Sequence, residues 1–249
     1  MFWGAFSAEQ SKNDRLKRHP QAVEMPKSEM FLAALTHILR HDYGFIRSVE
    51  IGEAQAQDGS PLPLFTYPAI EYLSQLDFRQ SSVFEYGAGG STHFWAARAK
   101  SVTSVENNAQ WVAQLEEKLA ENVHLIFRGG DAFPWTIEET EECFDVIVVD
   151  SAGYRYDCAT AALKRLAKGG MIILDNADWH PNTAAQLRNA DLIQVDMTGF
   201  KPGECHTSTT SLFLHRDFNL QSLHQQQPIF GRGAKWIHSE AWDKPYAKK

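Results

Sequence analysis

One feature constrains the fold of this sequence more than any other: short apolar segments alternate with helix-like segments from residue 83 to residue 215. Two of the apolar segments, FDVIVV and MIIL, are almost continuously hydrophobic, which is typical of strands that are buried on both faces of a sheet. Strands that alternate with helices predict right-handed βαβ units and a mostly parallel sheet with helices on both faces. The predicted strands are residues 83–86, 102–105, 123–127, 144–149, 171–174, 192–195 and 211–215.

Helices are predicted between these strands and ahead of the first one. Asn108 and Asp157 are the cap residues expected at two helix starts. The segment Lys168-Gly169-Gly170 has the basic last turn and the glycine stop of a helix end. The predicted helices cover residues 28–41, 66–77, 91–99, 108–119, 157–168 and 181–189.

Length and composition favour one globular domain with extensions, and two small domains are the alternative. The chain has 249 residues, of which 43% are hydrophobic and 22% are charged, and this is enough to bury a large core. We expect an N-terminal arm and helices over residues 1–80, an α/β core over 81–217 and a C-terminal extension over 218–249. That extension is rich in glutamine and aromatic residues, and it would either wrap the core or contact a second subunit in a homo-oligomer.

Charge, cysteines and hydropathy limit the partners and the compartment. The formal net charge is -7, whereas a general nucleic-acid-binding protein would more often be basic, so no nucleic-acid partner is expected. The three cysteines, Cys143, Cys158 and Cys205, have spacings that fit neither a metal knuckle nor a redox pair. No apolar run approaches the ~20 residues of a membrane span, and the apolar N-terminus is too short for a signal peptide. We therefore expect a cytoplasmic protein.

The segment VFEYGAGGSTHFW follows the first predicted strand and opens a helix. A dinucleotide fingerprint would place glycines at positions 87, 89 and 92, but the third position is Thr92. Glu85, just ahead of the glycines, would repel a pyrophosphate and would suit a cationic ligand. A phosphate-binding P-loop is excluded, because no Gly-Lys-Ser/Thr sequence follows.

These residues favour a ligand with a ribose, an adenine, a cationic amino group and no phosphates, and S-adenosylmethionine is such a ligand. Glu85 would face its ammonium group, while Gly87 and Gly89 let the main chain approach it. Glu106 lies 19 residues after Gly87 at the end of the second strand, where a carboxylate can bind ribose hydroxyls. Asp131, after the third strand, would accept a hydrogen bond from the adenine amino group.

Several segments together resemble the class I S-adenosylmethionine-dependent methyltransferases: VFEYGAGGST, SVENN, GGDA, FDVIVVD and LAKGGMIILDN. The segments PLPLFTYPAIEYL, FEYGAGGST and ILDNAD further resemble a bacterial group of small methyltransferases with an E-Y-G-x-G-x-S-T motif, often linked to glycan or secondary-metabolite genes. The resemblance covers about residues 60–215 and implies a Rossmann-like, doubly wound sheet of seven strands with an antiparallel last strand. The cofactor contacts that we predict are Glu85, Tyr86, Gly87, Ala88, Gly89, Ser91, Thr92, Glu106, Asn107, Asp131, Ala132 and Asp150.

Acidic residues at two neighbouring strand ends are the candidates for catalysis. Asp150 is the first candidate and Asp175 the second. With Asn176 they resemble the magnesium triad of catechol-type O-methyltransferases, although a site without metal is favoured. His180 and His206 are weaker candidates for a general base, since a histidine in a loop is more often a polar surface residue.

The function that we predict is methyl transfer from S-adenosylmethionine, at oxygen, to a small-molecule or glycan-type acceptor. Two alternatives remain open from the sequence. One is a nicotinamide-dependent oxidoreductase, which Glu85 and Thr92 disfavour. The other is a non-catalytic cofactor-binding or assembly module whose aromatic tail mediates contacts.

Overall fold

The computed structural model describes residues 26–224, 227–235 and 245, so the expected N-terminal arm and much of the C-terminal extension lie outside the described residues. The chain divides into two compact units, residues 1–37 and 38–249. All of the strands belong to the second unit. In the described part of the chain, no helix is long and apolar enough to cross a membrane.

A single seven-stranded sheet forms the centre of the second unit, in the order β3-β2-β1-β4-β5-β7-β6. Strand β7 is antiparallel to both of its neighbours, and the pairs among β1 to β5 are parallel. The predicted sheet, mostly parallel with an antiparallel last strand, is confirmed. The strands are β1 Ser82–Tyr86, β2 Ser101–Glu106, β3 Val123–Phe127, β4 Phe144–Val149, β5 Leu166–Leu174, β6 Ile193–Phe200 and β7 Thr207–Leu214.

The strand order reverses beside β1, because β2 pairs with one of its edges and β4 with the other. In open α/β sheets, the crevice outside the carboxyl ends of the strands at such a reversal is where ligands bind. The predicted site residues follow these same strands, so the topology brings them to one edge of the sheet.

The described residues form seven α-helices and two 3₁₀ helices. Several boundaries differ from the prediction by a few residues, and two of the differences change how a segment is assigned. The segment 168–170 belongs to β5 and not to a helix end. Gly170 permits the close approach of the paired strand, since a β-carbon there would lie 2.5 Å from the Asp145 carbonyl oxygen. The helix before it begins at Arg155 and not after a cap at Asp157. The α-helices are α1 Lys27–His41, α2 Phe45–Ile51, α3 Tyr67–Leu73, α4 Gly90–Ala96, α5 Ala109–Glu116, α6 Arg155–Leu163 and α7 Pro181–Asn189, and the 3₁₀ helices are Gly130–Glu139 and Ala177–Trp179.

The core has two layers, one on each face of the sheet. Alternate residues of β4 point to opposite faces, so that Val146 and Val148 belong to one layer and Ile147 and Val149 to the other. Helices α3 and α4 cover the first layer, and α6 and α7 cover the second. Each large apolar side chain buried in this way contributes roughly 1.5–3 kcal/mol, which fixes the strand ends that carry the polar residues.

Candidate functional site

The loop after β1 owes its shape to glycine at two positions. Gly87 has a φ angle of 92°, and a β-carbon there would lie 2.7 Å from the Asp150 carbonyl oxygen. A β-carbon on Gly90 would lie 2.5 Å from the Leu62 carbonyl oxygen. Gly89 differs, since a β-carbon there would have no heavy atom within 4 Å. The loop thus packs tightly on both sides and faces open space at Gly89.

Thr92 links this loop to the acidic residue of β1. Its hydroxyl accepts the main-chain N–H of Gly89 at 2.9 Å and donates to Glu85 Oε2 at 2.6 Å. A glycine at this position would make neither hydrogen bond. The residue that departs from the dinucleotide fingerprint therefore couples the loop conformation to the position of a carboxylate.

Glu85 is fully buried beneath the loop. Its Oε2 also accepts from the Ser104 hydroxyl at 2.8 Å, whereas Oε1 has no hydrogen-bond partner among the described residues. Burial raises the pKa of Glu85 to about 7; the nearby hydroxyl groups of Ser91, Thr92 and Ser104 oppose this rise, and the negative charge of Glu106 adds to it. One oxygen of this buried carboxylate thus has no hydrogen-bond donor among the described residues.

Glu106, at the end of β2, reaches back to the same loop. Its Oε2 accepts the N–H of Ala88 at 3.1 Å, and its Oε1 accepts the N–H groups of Asn107 and Asn108, each at 2.8 Å. A carboxylate has about four acceptor positions, so capacity for a ligand hydroxyl remains. The indole N–H of Trp111 donates to the Ala88 carbonyl at 2.7 Å, which holds the loop from the other side.

The remaining predicted contacts lie around this loop or beside it. Tyr86 is fully buried, and its hydroxyl donates to the Pro134 carbonyl at 2.7 Å, so its side chain holds the first 3₁₀ helix against β1. Asp131 and Ala132 are exposed in the first turn of that helix, at the carboxyl end of β3. Ser91 is buried in the first turn of α4.

Asp150, directly after β4, pairs with the first residue of α6. Arg155 Nη2 donates to Asp150 Oδ1 at 2.8 Å, while its Nε donates to the Ser151 carbonyl at 2.9 Å and its Nη1 to the Asp175 carbonyl. Burial and the nearby Asp175 carboxylate raise the pKa of Asp150 above its ordinary range, although Arg155 and Lys201 oppose them. The Asp150 side chain keeps 21% of its surface exposed.

Asp175 lies deeper, at the end of β5. Its side chain is 1% exposed, and its two oxygens accept from Lys201 Nζ at 2.5 Å and from the Thr210 hydroxyl at 2.7 Å. Asn176 follows at a φ angle of 51°, a conformation that is uncommon for residues other than glycine. Asp150, Asp175 and Asn176 are therefore at adjacent strand ends, but both carboxylates already face protein cations, an arrangement that does not fit a divalent metal.

A cavity of about 860 Å³ lies beside this pair of strand ends. Arg155, which contacts Asp150, is part of its wall. Tyr154 also lines it, with a φ angle of 57°, and such rarely populated conformations cluster at functional sites. The other lining residues are Gly153, Tyr156, Trp179, His180, Pro181, Asn182, Thr183, Ala185, Gln186 and Asn189.

The two histidine candidates have different surroundings. His180 lines the cavity, and burial lowers its pKa, so that its imidazole is neutral at pH 7. His206 is exposed and stacks on Trp179 with ring centroids 6.4 Å apart, and it contacts Glu204 at 3.3 Å. Neither histidine is bonded to Asp150 or Asp175 in the described contacts.

Several site residues had no clear signal in the sequence. Arg155 follows a glycine-containing turn and could have been suspected from its place after β4. Lys201 stands in a Pro-Gly turn, where a lysine is normally exposed. The polar segment TSTTS, 207–211, is of a kind typical of a sheet edge, but Ser208, Thr210 and Ser211 are buried. They are buried because β6 pairs on the outer side of β7 and because they bond to Asn176, Asp175 and Asp196.

The fold is shared with a solved methyltransferase structure, while no protein-family model and no curated protein matches the sequence. The precorrin-6y C5,15-methyltransferase of Geobacter metallireducens is 17% identical, with a TM-score of 0.50 over 67% of this chain and 96% of that chain. An rRNA methylase of Streptococcus thermophilus is 19% identical, with a TM-score of 0.44 over 62% and 97%. The fibrillarin pre-rRNA processing protein of Methanococcus jannaschii is 18% identical, with a TM-score of 0.47 over 59% and 74%. At 17% identity, the likeness to the precorrin-6y methyltransferase shows the fold alone.

Proposed function

We propose that the chain is an S-adenosylmethionine-dependent methyltransferase. The observation that carries this proposal is the buried carboxylate of Glu85, which has one unpartnered oxygen directly beneath a glycine loop. A buried carboxylate of this kind favours a cationic partner that donates hydrogen bonds, and such charge-assisted bonds are worth roughly 1.5–3 kcal/mol. The ammonium group of S-adenosylmethionine provides both the charge and the donors.

The residues around the loop fit the other parts of this cofactor. Gly89 leaves open space at the loop, and Glu106 retains acceptor capacity for ribose hydroxyls. Asp131 and Ala132, exposed at the end of β3, would contact the adenine. When bound, the cofactor supplies a methyl group on a positively charged sulfur. The further contacts in this proposal are Tyr86, Gly87, Ala88, Ser91, Thr92, Asn107 and Asp150.

The same residues argue against a nicotinamide dinucleotide. A pyrophosphate bound over this loop would lie near the Glu85 carboxylate, which would repel it. The loop also lacks the third glycine of the dinucleotide fingerprint. Thr92 occupies that third position and holds Glu85 in place. The oxidoreductase alternative is therefore the weaker one.

We assign the cavity beside Asp150 to the acceptor. Three aromatic side chains, Tyr154, Tyr156 and Trp179, are 41%, 52% and 60% exposed. Three amides, those of Asn182, Gln186 and Asn189, also line the cavity. Among the described residues that line the cavity, Arg155 carries the one fixed charge, and that charge is paired with Asp150. Aromatic faces with amide donors and acceptors, and with no unpaired charge, suit a small neutral acceptor with ring faces and hydroxyl groups, such as a glycan-type molecule.

Asp150 would serve as the general base in this reaction. An acceptor hydroxyl would transfer its proton to the Asp150 carboxylate while its oxygen bonds to the methyl carbon. The bond between that carbon and the cofactor's sulfur would break, so the products would be a methyl ether and S-adenosylhomocysteine. Positioned general bases contribute roughly 10²–10⁴-fold to a rate. Asp175, the second candidate, is buried and ion-paired, so its contribution would come from holding the site and not from touching the acceptor.

The wider assignments extend the same proposal. We place the chain in the bacterial small-molecule group with the E-Y-G-x-G-x-S-T motif, with a methyltransferase core over residues 81–217. The net charge of -7 supports an acceptor other than nucleic acid and suits the cytoplasm. The segments 1–80 and 218–249 would shape the acceptor site or join two copies in a homo-oligomer.

Thermal unfolding of the full chain with candidate ligands tests the proposal. S-adenosylmethionine and S-adenosylhomocysteine should each raise the Tm, and NAD should leave it unchanged, because a ligand that binds only the folded state stabilises it. Stabilisation by NAD alone would overturn the proposal in favour of the oxidoreductase. Binding of the cofactor without methyl transfer to any member of a panel of hydroxylated acceptors would favour the non-catalytic module.

A further inference from the structure

Three residues with hard oxygen ligands lie at the ends of two paired strands. Asp150 follows β4, Asp175 and Asn176 follow β5, and the last residues of these strands, Val149 and Leu174, are paired. Carboxylate and amide oxygens are ligands that Mg²⁺ accepts in proteins. Whether this cluster can hold a metal depends on which groups already face those oxygens.

Lys201 places its ammonium group on the deeper side of the cluster. Its side chain is 2% exposed, and Nζ donates to Asp175 Oδ2 at 2.5 Å. The Asn176 amide can be oriented so that it bonds to both Lys201 and Asp175. In this orientation the amide oxygen accepts from Lys201 Nζ at 2.9 Å, and the amide nitrogen donates to Asp175 Oδ2 at 2.8 Å. The ammonium thus contacts the carboxylate and the amide oxygen that a metal would need.

Arg155 occupies the outer side in the same manner. Its guanidinium bridges the Asp150 carboxylate and the main-chain carbonyl of Asp175. Two carboxylates and two cations leave the cluster neutral, and a divalent ion would add two positive charges beside two fixed ones. Magnesium also requires about six oxygens at close to 2.1 Å. Among the described residues, no group of three or more His, Cys, Asp or Glu side chains could hold a metal ion.

We infer that Lys201 and Arg155 are the resident cations of the cluster formed by Asp150, Asp175 and Asn176, and that this cluster binds no divalent metal. Lys201 is a positioning residue, because it holds the Asp175 carboxylate and the Asn176 amide. The main-chain carbonyl of Asp175 in turn accepts from Arg155, which holds the Asp150 carboxylate. The inference concerns charges within the chain, so its test needs neither a cofactor nor an acceptor.

Metal titration of the full chain tests this inference, with Mn²⁺ followed by electron paramagnetic resonance and Mg²⁺ followed by thermal unfolding. The wild-type protein should bind no Mn²⁺ at this cluster, and Mg²⁺ or EDTA should leave its Tm unchanged. Lys201→Ala leaves a buried carboxylate without its partner, which should lower the Tm by roughly 6–20 °C. In this variant Mg²⁺ should restore part of the loss, and Mn²⁺ should give a bound signal.

Two control variants separate the role of Lys201 from a general loss of stability. The pair Asp175→Asn with Lys201→Met removes both charges at similar volume, so it should fold near the wild-type Tm and bind no Mn²⁺. Lys164→Ala removes an exposed ion pair with Glu138 and should change neither the Tm nor the binding of Mn²⁺. Mn²⁺ bound to the wild type and lost in the Asp175→Asn/Lys201→Met variant would overturn the inference. So would a Lys201→Ala variant with an unchanged Tm and no metal response. If Lys201→Ala does not fold, the wild type and the double variant decide the question.

Discussion

The Thr92 hydroxyl lies 2.6 Å from Glu85 Oε2 and donates to it, while the same hydroxyl accepts the N–H of Gly89. This pair of contacts joins the conformation of the glycine loop to the position of a buried carboxylate. The departure from a dinucleotide fingerprint is therefore a specific feature of this site. Removal of the Thr92 hydroxyl should therefore affect both the stability of the loop and the position of the Glu85 carboxylate.

Thr92→Val keeps the volume of the side chain and removes both hydrogen bonds. Unpaired buried polar groups cost roughly 1–3 kcal/mol, so we expect a loss of stability of that size and an affinity for S-adenosylhomocysteine at least several-fold weaker. Thr92→Ser keeps the hydroxyl and is the matched control. Chemical denaturation and calorimetry measure the two quantities, and a valine variant with wild-type affinity would contradict the role given to Thr92.

The raised pKa of Glu85 predicts a pH dependence of stability. Burial raises the pKa from 4.5 to about 7, so between these values the folded state holds a proton that the unfolded state has lost. The free energy of unfolding should therefore fall as the pH rises from about 4.5 to about 7, by up to about 3 kcal/mol. In Glu85→Gln this decline should be largely absent. Urea denaturation over the pH range measures it, and identical slopes for the two proteins would contradict the assignment.

Gly87→Ala should destabilise the fold more than the replacement of Gly130, another glycine with a positive φ angle, by alanine. The new β-carbon would lie 2.7 Å from the Asp150 carbonyl oxygen, in addition to the cost of a φ angle of 92°. Gly130→Ala is the control, because Gly130 has a φ angle of 65° and open space around it. We expect roughly 1–3 kcal/mol for a strained conformation at either position and a further loss at Gly87. Equal losses in denaturation experiments would mean that the contact with Asp150 is unimportant.

The acceptor assignment predicts that two substitutions impair methyl transfer in different ways, one through kcat and the other through KM for the acceptor. Asp150→Asn should lower kcat by about 100-fold or more, because it removes the proposed base. Trp179→Ala should mainly raise KM for the acceptor, whereas Trp135→Ala, which changes a partly exposed tryptophan outside the cavity, should not. Steady-state kinetics on an acceptor from the hydroxylated panel measures both effects. A wild-type rate in Asp150→Asn would remove Asp150 from the mechanism.

The strands and the glycine loop were predictable because they depend on local patterns. Apolar runs marked the strands, and Glu85 and Glu106 were recognisable from their distance to Gly87 along the chain. The ion pair of Lys201 with Asp175 was not, because its members are 26 residues apart and meet only when β7 inserts between β5 and β6.

The glycines at 169 and 170 show a different limit of sequence patterns. A basic residue followed by glycines is typical of a helix end, but here Gly170 allows close pairing of β5 with the neighbouring strand. The two uses of glycine look the same in the sequence. The two uses differ in which atoms would lie close to a β-carbon at the glycine position.

Calorimetric titration of S-adenosylhomocysteine into the wild type and into Glu85→Gln tests the central claim most directly. The account predicts one binding site per chain in the wild type, with an affinity that increases as the pH rises through about 7, where the Glu85 carboxylate ionises. It predicts roughly 10- to 100-fold weaker binding in Glu85→Gln, from the loss of one charge-assisted hydrogen bond, and unchanged binding in the exposed control Glu121→Gln. Absence of binding to the wild type, or equal affinity in Glu85→Gln, would contradict the account.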